Sequence, residues 1–563
     1  MNNKVKLTLM LVLGLGLGAS VVEAKPAKKA AAASAKAKTK SVAKKPKQKP
    51  MTVKAAASQQ QAVKKAPDAN EKLQKISSDF KAGKIKHYQY WQKLEELKEA
   101  GLQNMTPANR NALNLIQANL LQQAGYPVLA AYYATATLKS ASDPFDPALD
   151  GAWKTLAISS RISPIQYILE DLAGSIKDDS RAPTVMGSDW NYVKGNAAAA
   201  SDRKKAIKYY EAVSSNDRHF LAAQYQLGML QVEEGNKDEA VKAFNTVVIK
   251  SSLGGSGSLS ATDRLEMWNY ANMALGRYYY ETKDFMKSVI HFRKVTKDSP
   301  LFYDSLFEQS WALFMSGNPM HALGSLHGAA SPFFENKFNP EVKLLESMIY
   351  YWLCRYEDSR TALVEFAEDH AKQIDNLRDF LSRQRLNPDS AYRLFEDLVS
   401  GVSDDSLSVP RKVLQTAAER DSMLLVRDQL ATVIGEDERL RYKGIFGSKQ
   451  TLDSQTRILA ATKNMLKRTL GEQFIVELKS IKNDFEDMNE QSQFLNLELL
   501  MSQKEHLMGG ELHSSTKVTQ VREQTNIAGW TKNKQSWADE KGEFWWDEIG
   551  YQIIAVKPQC NIQ

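Results

Sequence analysis

The 563-residue chain has only two cysteines, Cys354 and Cys560, so it is not a small disulfide-stapled scaffold. It also lacks the short motifs that mark common active sites. Its eight histidines are His87, His219, His291, His321, His327, His370, His506 and His513, and they form neither HExxH nor a Cys/His metal spacing. The glycine-rich stretch at 254–257 has no GK[ST], hence no phosphate cradle, and no serine nucleophile elbow. Asp547 and Glu548 are adjacent, a poor arrangement for two carboxylates flanking one bond. A lytic transglycosylase would need a lysozyme-like domain, and the short tail leaves no room for one. No enzyme, cofactor or metal site is expected. No segment after residue 24 holds 18 uninterrupted apolar residues, so no later membrane span is expected.

Charge is present but unevenly placed. Residues 25–66 hold 13 lysines with no arginine and no acid, and residues 1–24 carry a net +1. The formal total is +8, which leaves −6 for residues 67–563. The positive excess therefore belongs to one tract, and a folded nucleic-acid-binding surface is not expected. Lys, Ala, Pro, Ser and Gln dominate residues 25–68, which cannot bury enough apolar surface to offset their ordering entropy. The tract reads as a disordered linker whose 42 residues from 25 to 66 reach about 140 Å at most. Two uses stay open: a polycationic arm touching anionic lipid or cell-wall polymers, or a solubilising spacer.

The first 24 residues read as a secretory signal peptide. Lys4 and Lys6 precede an apolar stretch from Leu7 to Gly18, and Val22-Glu23-Ala24 offers small residues at the cleavage site. Leu7 to Val22 spans 16 residues, short of the ~20 a transmembrane helix needs. No cysteine lies nearby to carry a lipid. The expected product is an exported, soluble periplasmic protein that is not a lipoprotein.

Periodicity decides the fold. Leu227-Gly228 and Leu275-Gly276 are each followed by a small residue twelve positions after the glycine, Ala240 and Ser288, and by an aromatic four later, Phe244 and Phe292. Tyr279 and Pro300 complete the second unit. Ala206 to Ala240, Gly276 to Ser310 and Ser288 to Ala322 are each 34 residues apart. Gly228 to Gly276 is 48, an excess explained by the insertion Ser251 to Ser258. One unit back, the register puts Trp190 at the fourth position and Ala206 at the twentieth, while Tyr350, Tyr356, Ser359 and Phe366 mark a later unit. Ala118 and Ala130 suggest another at 111–138. This pattern resembles the tetratricopeptide repeat, a 34-residue helix–turn–helix whose small residues allow close helix approach. The resemblance implies an all-α solenoid over 187–375, preceded by an N-terminal helical region at 69–186.

In that family the first helices line a groove that holds peptide segments. Carried over by position, the groove residues are Tyr225 and Met229, then Tyr270, Met273, Arg277 and Tyr280, then Phe307, Trp311 and Met315, with Phe314 beside them. Methionine adapts its shape and aromatics supply contact area, which suits a protein partner. The other reading is that many of these side chains pack on the neighbouring repeat.

Residues 376–510 read as long helices with a coiled-coil-like seam. Pro410 opens one running to about Arg441. Another runs from near Asp453 towards Leu507, with apolar residues at Leu466, Leu470, Phe474, Leu478, Ile481, Phe485, Met488, Leu495 and Leu499. Gly471 is a point of interruption. Projecting arm and packed cap stay equally open. Residues 511–563 read as a small Trp-rich module with Trp530, Trp537, Phe544, Trp545 and Trp546, a turn at Asp547 to Gly550, and a strand from Tyr551 to Val556. It is either a platform for glycan or peptide, or a buried module. Cys354 and Cys560 either form a disulfide or stay as two thiols.

The signal, linker and repeats, with the LCRYEDSR stretch at 353–360 and the FWWDEIGY tail at 544–551, resemble periplasmic tetratricopeptide-repeat proteins of predatory and gliding deltaproteobacteria. That implies a non-enzymatic scaffold that binds envelope proteins, as in motility or envelope-assembly machinery, with no nucleic acid as partner. The rival reading is a peptidoglycan- or anionic-surface-binding protein that uses the cationic arm and the tail's tryptophans.

Overall fold

The computed structural model describes residues 68–102, 105–176, 178–253, 259–368, 372–383, 386–402, 409–507, 544 and 546–559. The signal segment, the Lys-rich tract and Trp530, Trp537 and Trp545 lie outside these residues. Among the described residues there are 22 α-helices and no β-strand. The all-α solenoid expectation is met.

Small residues spaced by twelve bring each helix pair together. Ala118/Ala130, Ser310/Ala322 and Ser347/Ser359 are all fully buried, as are Ala240 and Ser288 opposite Gly228 and Gly276. The Ser288 hydroxyl donates to the Gly276 carbonyl at 2.8 Å, and the two hydroxyls of Ser347 and Ser359 lie 2.9 Å apart. The aromatic positions fill the space the glycines vacate. A Cβ at Gly228 would stand 2.5 Å from the Phe244 ring, and one at Gly276 would stand 2.5 Å from Phe292. Gly195 meets Tyr210 in the same way, which adds the unit that holds Trp190.

Five pairs also share one turn. Gly125, Gly235, Lys283, Gly317 and Cys354 follow the first helix of their pairs with positive φ. The next residue's N–H reaches back five positions, as in Asn236 to Gln231 and Arg355 to Tyr350 at 2.8 and 2.9 Å. This is a Schellman closure, which satisfies the last carbonyls of the first helix. The pair Pro107–Gln123 and Pro127–Ser140 uses it too, so the repeat geometry recurs before residue 187.

The helix Asp453–Leu507 is unbroken over 55 residues, a length of about 80 Å. It lies along the molecule rather than projecting. At one end Ser454 donates to Glu95 at 2.6 Å and Gln455 to the Tyr133 hydroxyl at 3.0 Å. In the middle Phe474 meets Phe395, and Phe485 meets Phe338. At the other end the hydroxyls of Ser502 and Tyr351 lie 3.0 Å apart. Its seam from Leu466 to Phe485, with Leu495 and Leu499, is buried. Gly471 does not interrupt it. A Cβ there would overlap the Pro388 carbonyl, so the glycine admits the neighbouring chain.

One expectation needs correction, and one is not shown. The helix expected from Pro410 to about Arg441 is two helices, Arg411–Ala418 and Asp421–Lys443, split by the extended ψ of 142° at Arg420. The break lets Lys337 pair with Glu419 at 2.7 Å and Ser422 donate to Glu477 at 2.8 Å. The expected β-containing C-terminal module is not shown, and most of residues 511–563 lies outside the described residues. Residues 546–551 form a turn, and those after it are extended, with a single β-bridge position at Ile553. Their backbone bonds go to helix ends instead: the N–H of Ile554 to Met320 at 3.1 Å, and that of Gln559 to Leu353 at 3.0 Å. Ile549 is fully buried against Phe302, Tyr303, Leu306 and Ala329. Gly324 has no side chain because the Gln552 carbonyl fills that space.

Candidate partner-binding surface

The first helices of the central repeats are Phe220–Glu233, Ala261–Glu281, Phe302–Met315 and Glu341–Trp352. Their shared inner face carries the residues expected to bind a partner, and the structure divides these into two groups. Met273, Phe307 and Trp311 are core residues with 2–3% exposure, as is Phe314 at 9%. They pack with Phe292, Leu323 and Leu345 across the repeat boundary, so these three do not form a groove surface. Tyr225, Met229, Tyr270, Tyr280 and Met315 are half-buried, and Arg277 is exposed. The rings of Tyr225 and Tyr270 meet at 5.9 Å, bridging two repeats. Tyr280 stands edge-on to Phe285 at 5.4 Å.

Arg277 is committed. Its guanidinium grips the Glu308 carboxylate through Nε at 2.8 Å and Nη2 at 2.7 Å. The arginine side chain is 43% exposed and the glutamate 4%, so the pair neutralises a carboxylate at the base of the face.

The acids around this pair are the feature that an aromatic reading misses. Asp304 is exposed, yet the surrounding protein and Glu308 push its carboxyl up to about 6, against the pull of Arg277. Burial pushes Glu341 up to about 8, with Glu308 and Asp484 adding to the rise, although Trp311 Nε1 donates to it at 3.2 Å. Burial also raises Asp484 on the long helix and Glu266 near the start of Ala261–Glu281. Burial raises the Tyr270 hydroxyl, and Asp421 at the start of Asp421–Lys443 adds to it. Carboxylates from the repeats thus face carboxylates from the helical arm across a partly desolvated space. A signal for this existed in the sequence. Tyr270, Asp304 and Glu341 occupy the same second position of three successive units, and two of the three are acidic.

No group of three or more His, Cys, Asp or Glu side chains able to hold a metal occurs among the described residues. Among them, no helix is long and apolar enough to cross a membrane. Cys354 is disulfide-bonded. Cys560 lies outside the described residues, but the chain returns beside Cys354, since the N–H of Gln559 bonds to the carbonyl of Leu353. Trp546 packs against Phe302, Phe333 and Phe334, and its carbonyl accepts from Lys297 at 2.6 Å.

Stacked helix pairs with this turn, this small-residue spacing and a residue-lined inner face define a helical-repeat interaction scaffold. Residues 222–250 match the family described as tetratricopeptide repeat. Among solved structures, it is similar to a tetratricopeptide repeat protein from Parabacteroides merdae ATCC 43184. The identity is 14% and the TM-score 0.28, covering 46% of this chain and 93% of that one. No curated protein matches the chain.

Proposed function

We infer that this protein is an exported, non-catalytic scaffold that holds protein partners in a bacterial envelope complex, such as a motility or envelope-assembly machine. The coarse part, a protein-interaction scaffold, follows from the tetratricopeptide repeats. The observation that carries the reading is the inner face itself. Half-buried tyrosines Tyr225, Tyr270 and Tyr280 sit beside unpaired carboxylates, an amphipathic lining that suits a peptide better than a small molecule. Export is supported by the signal-like residues 1–24 and by the disulfide at Cys354, because such bonds persist in oxidising compartments. Cys560 is the only other cysteine of the sequence, and the Gln559–Leu353 bond supports it as the partner.

The test is capture from a native cell envelope with residues 25–563 as bait, read by mass spectrometry and by co-sedimentation with sacculi. A Tyr270→Ser/Tyr280→Ser variant that keeps its far-UV circular dichroism is expected to lose its protein partners. Retention of every partner would remove the inner face as the binding surface. Sedimentation with sacculi that collapses at high salt and ignores the tyrosine changes would favour the glycan- or surface-binding reading instead.

A further inference from the structure

The inner face carries more negative charge than its own cations neutralise. Arg277 is spent on Glu308, Lys337 on Glu419, and Arg420 reaches Glu477 at 3.9 Å. Asp304, Glu341, Asp421 and Asp484 have no cationic side chain within 4.0 Å among the described residues. These four come from two repeats and two arm helices, so they surround a space rather than decorate one helix. Asp304 and Asp421 are exposed and open to an incoming chain, Glu341 and Asp484 are half-buried, and a cation brought beside any of them favours its ionised form.

The chain carries such a cation. Residues 25–66 hold 13 lysines and no acid that would neutralise them internally, while residues 67–563 carry −6. Lysine suits the task better than arginine here. It is a point charge on a long stem that reaches into a recess without demanding a fork-shaped partner. The attachment point is within reach. The tract joins the helix Ala69–Lys81, which packs near the end of the long helix where Ser454 meets Glu95. From Ser454 to Asp484 that helix rises about 45 Å, whereas 42 residues extend up to about 140 Å. Tethering raises the local concentration of the tract at the face to about the millimolar range.

We propose that the Lys-rich residues 25–66 occupy the inner face of the same chain, with their ammonium groups beside Asp304, Glu341, Asp421 and Asp484. The proposal rests on the inner face being the binding surface. It adds that a partner must displace the tract, which makes the arm an internal competitor rather than a membrane or wall anchor.

The experiment uses residues 25–563 at low micromolar concentration with a zero-length carbodiimide, which joins a lysine to a carboxylate only on contact. A mixture of light and 15N-labelled protein distinguishes links within a chain from links between chains. Links from Lys36 to Lys54 onto Asp304, Glu341 or Asp484 within one isotope are expected. The rate of trypsin cleavage after those lysines gives the second readout. It should rise about tenfold in Asp304→Asn/Glu341→Gln/Asp484→Asn, corresponding to about 90% occupancy in the parent. It should also rise in the unaltered protein at ~0.5 M salt, where screening shortens to about 4 Å, so the result does not depend on the variant folding. Links only between isotopes would assign the face to a second copy. Equal cleavage rates with and without salt, or links only to other acids, would also overturn the proposal. Partner capture that still depends on Tyr270 and Tyr280 would leave the scaffold reading standing.

Discussion

Two sets of glycines compare the two ways this molecule is held together. Gly228 and Gly276 give up a side chain to an aromatic ring 16 residues further along the same helix pair. Gly324 and Gly471 give it up to the backbone of distant segments, at Gln552 and Pro388. The first kind builds the repeat, and its local spacing is written into every unit. The second kind closes the repeat stack against the tail and the arm, and no period announces it. A ring can tilt away from an intruding methyl group, but a carbonyl fixed by its own chain cannot. The closure contacts should therefore be the less forgiving ones.

The sharpest test is Gly471→Ala against Gly435→Ala. Both glycines lie inside helices, where alanine is worth about 1 kcal/mol. Nothing lies within 4 Å of a Cβ at Gly435, so that change should stabilise by about that amount. At Gly471 the Pro388 backbone must move, and a net loss of about 3 kcal/mol is expected by denaturant unfolding. Gly324→Ala should cost a similar amount and expose Trp546, read as a shift in tryptophan emission. Equal effects at positions 435 and 471 would erase the distinction.

Glu436 probes closure from the polar side. It is fully buried and accepts the N–H groups of Val128 and Leu129, the first turn of Pro127–Ser140, at 3.0 and 2.9 Å. Glu436→Ala strands two buried donors and should cost about 2–4 kcal/mol, whereas Glu436→Gln keeps an acceptor and should cost less. Gly228→Ala, inside a repeat, should cost about 1–2 kcal/mol, because Phe244 has room to adjust.

The smallest effect is the pH dependence. Burial pushes Glu436 up to about 7, opposed by its backbone hydrogen bonds, and pushes Glu341 up to about 8. In the unfolded chain both titrate near 4.3, so the folded state holds protons that the unfolded state has released. Stability from these groups is full below about pH 4, falls as pH rises, and is lost above about pH 8. His219 and His291 work oppositely. Burial lowers both to about 4, so they cost stability only below about pH 6.5. Between pH 8.5 and 6.5 the acids dominate, and Tm should rise on acidification by about 2–4 °C per kcal/mol. Glu436→Gln should flatten that rise.

The same comparison explains what was legible in the sequence. Ala118, Ser310 and Ser359 could be placed in register because their partners lie twelve residues away on the same hairpin. The seam from Leu466 to Phe485 was visible as an apolar stripe, but a stripe does not say what covers it. That answer depends on Phe338, Phe395 and Tyr351, each far away in sequence. The tail from Tyr551 to Val556 looked like a strand because β-branched and aromatic residues alternate there. In the fold those residues serve an extended segment docked on helix ends. At the inner face, the repeat position left Trp311 and Phe307 open between groove surface and packing on the next repeat, and packing across the boundary buries them. Asp304 and Glu341 stood at an equivalent position and were given no role from sequence. Only the folded chain shows that carboxylates from the arm, such as Asp484 beside Glu341, share that face.

The central claim is that the helical arm lies on the repeats along its whole length and so forms one wall of the inner face. Hydrogen–deuterium exchange along Asp453–Leu507 tests it most directly. The account predicts that amides from 481 to 499 are protected as strongly as those from 459 to 478, because Ile481, Phe485, Leu495 and Leu499 are buried as fully as Leu459 and Leu478. Protection that ends near residue 480, with fast exchange beyond it, would describe a projecting arm and contradict the account.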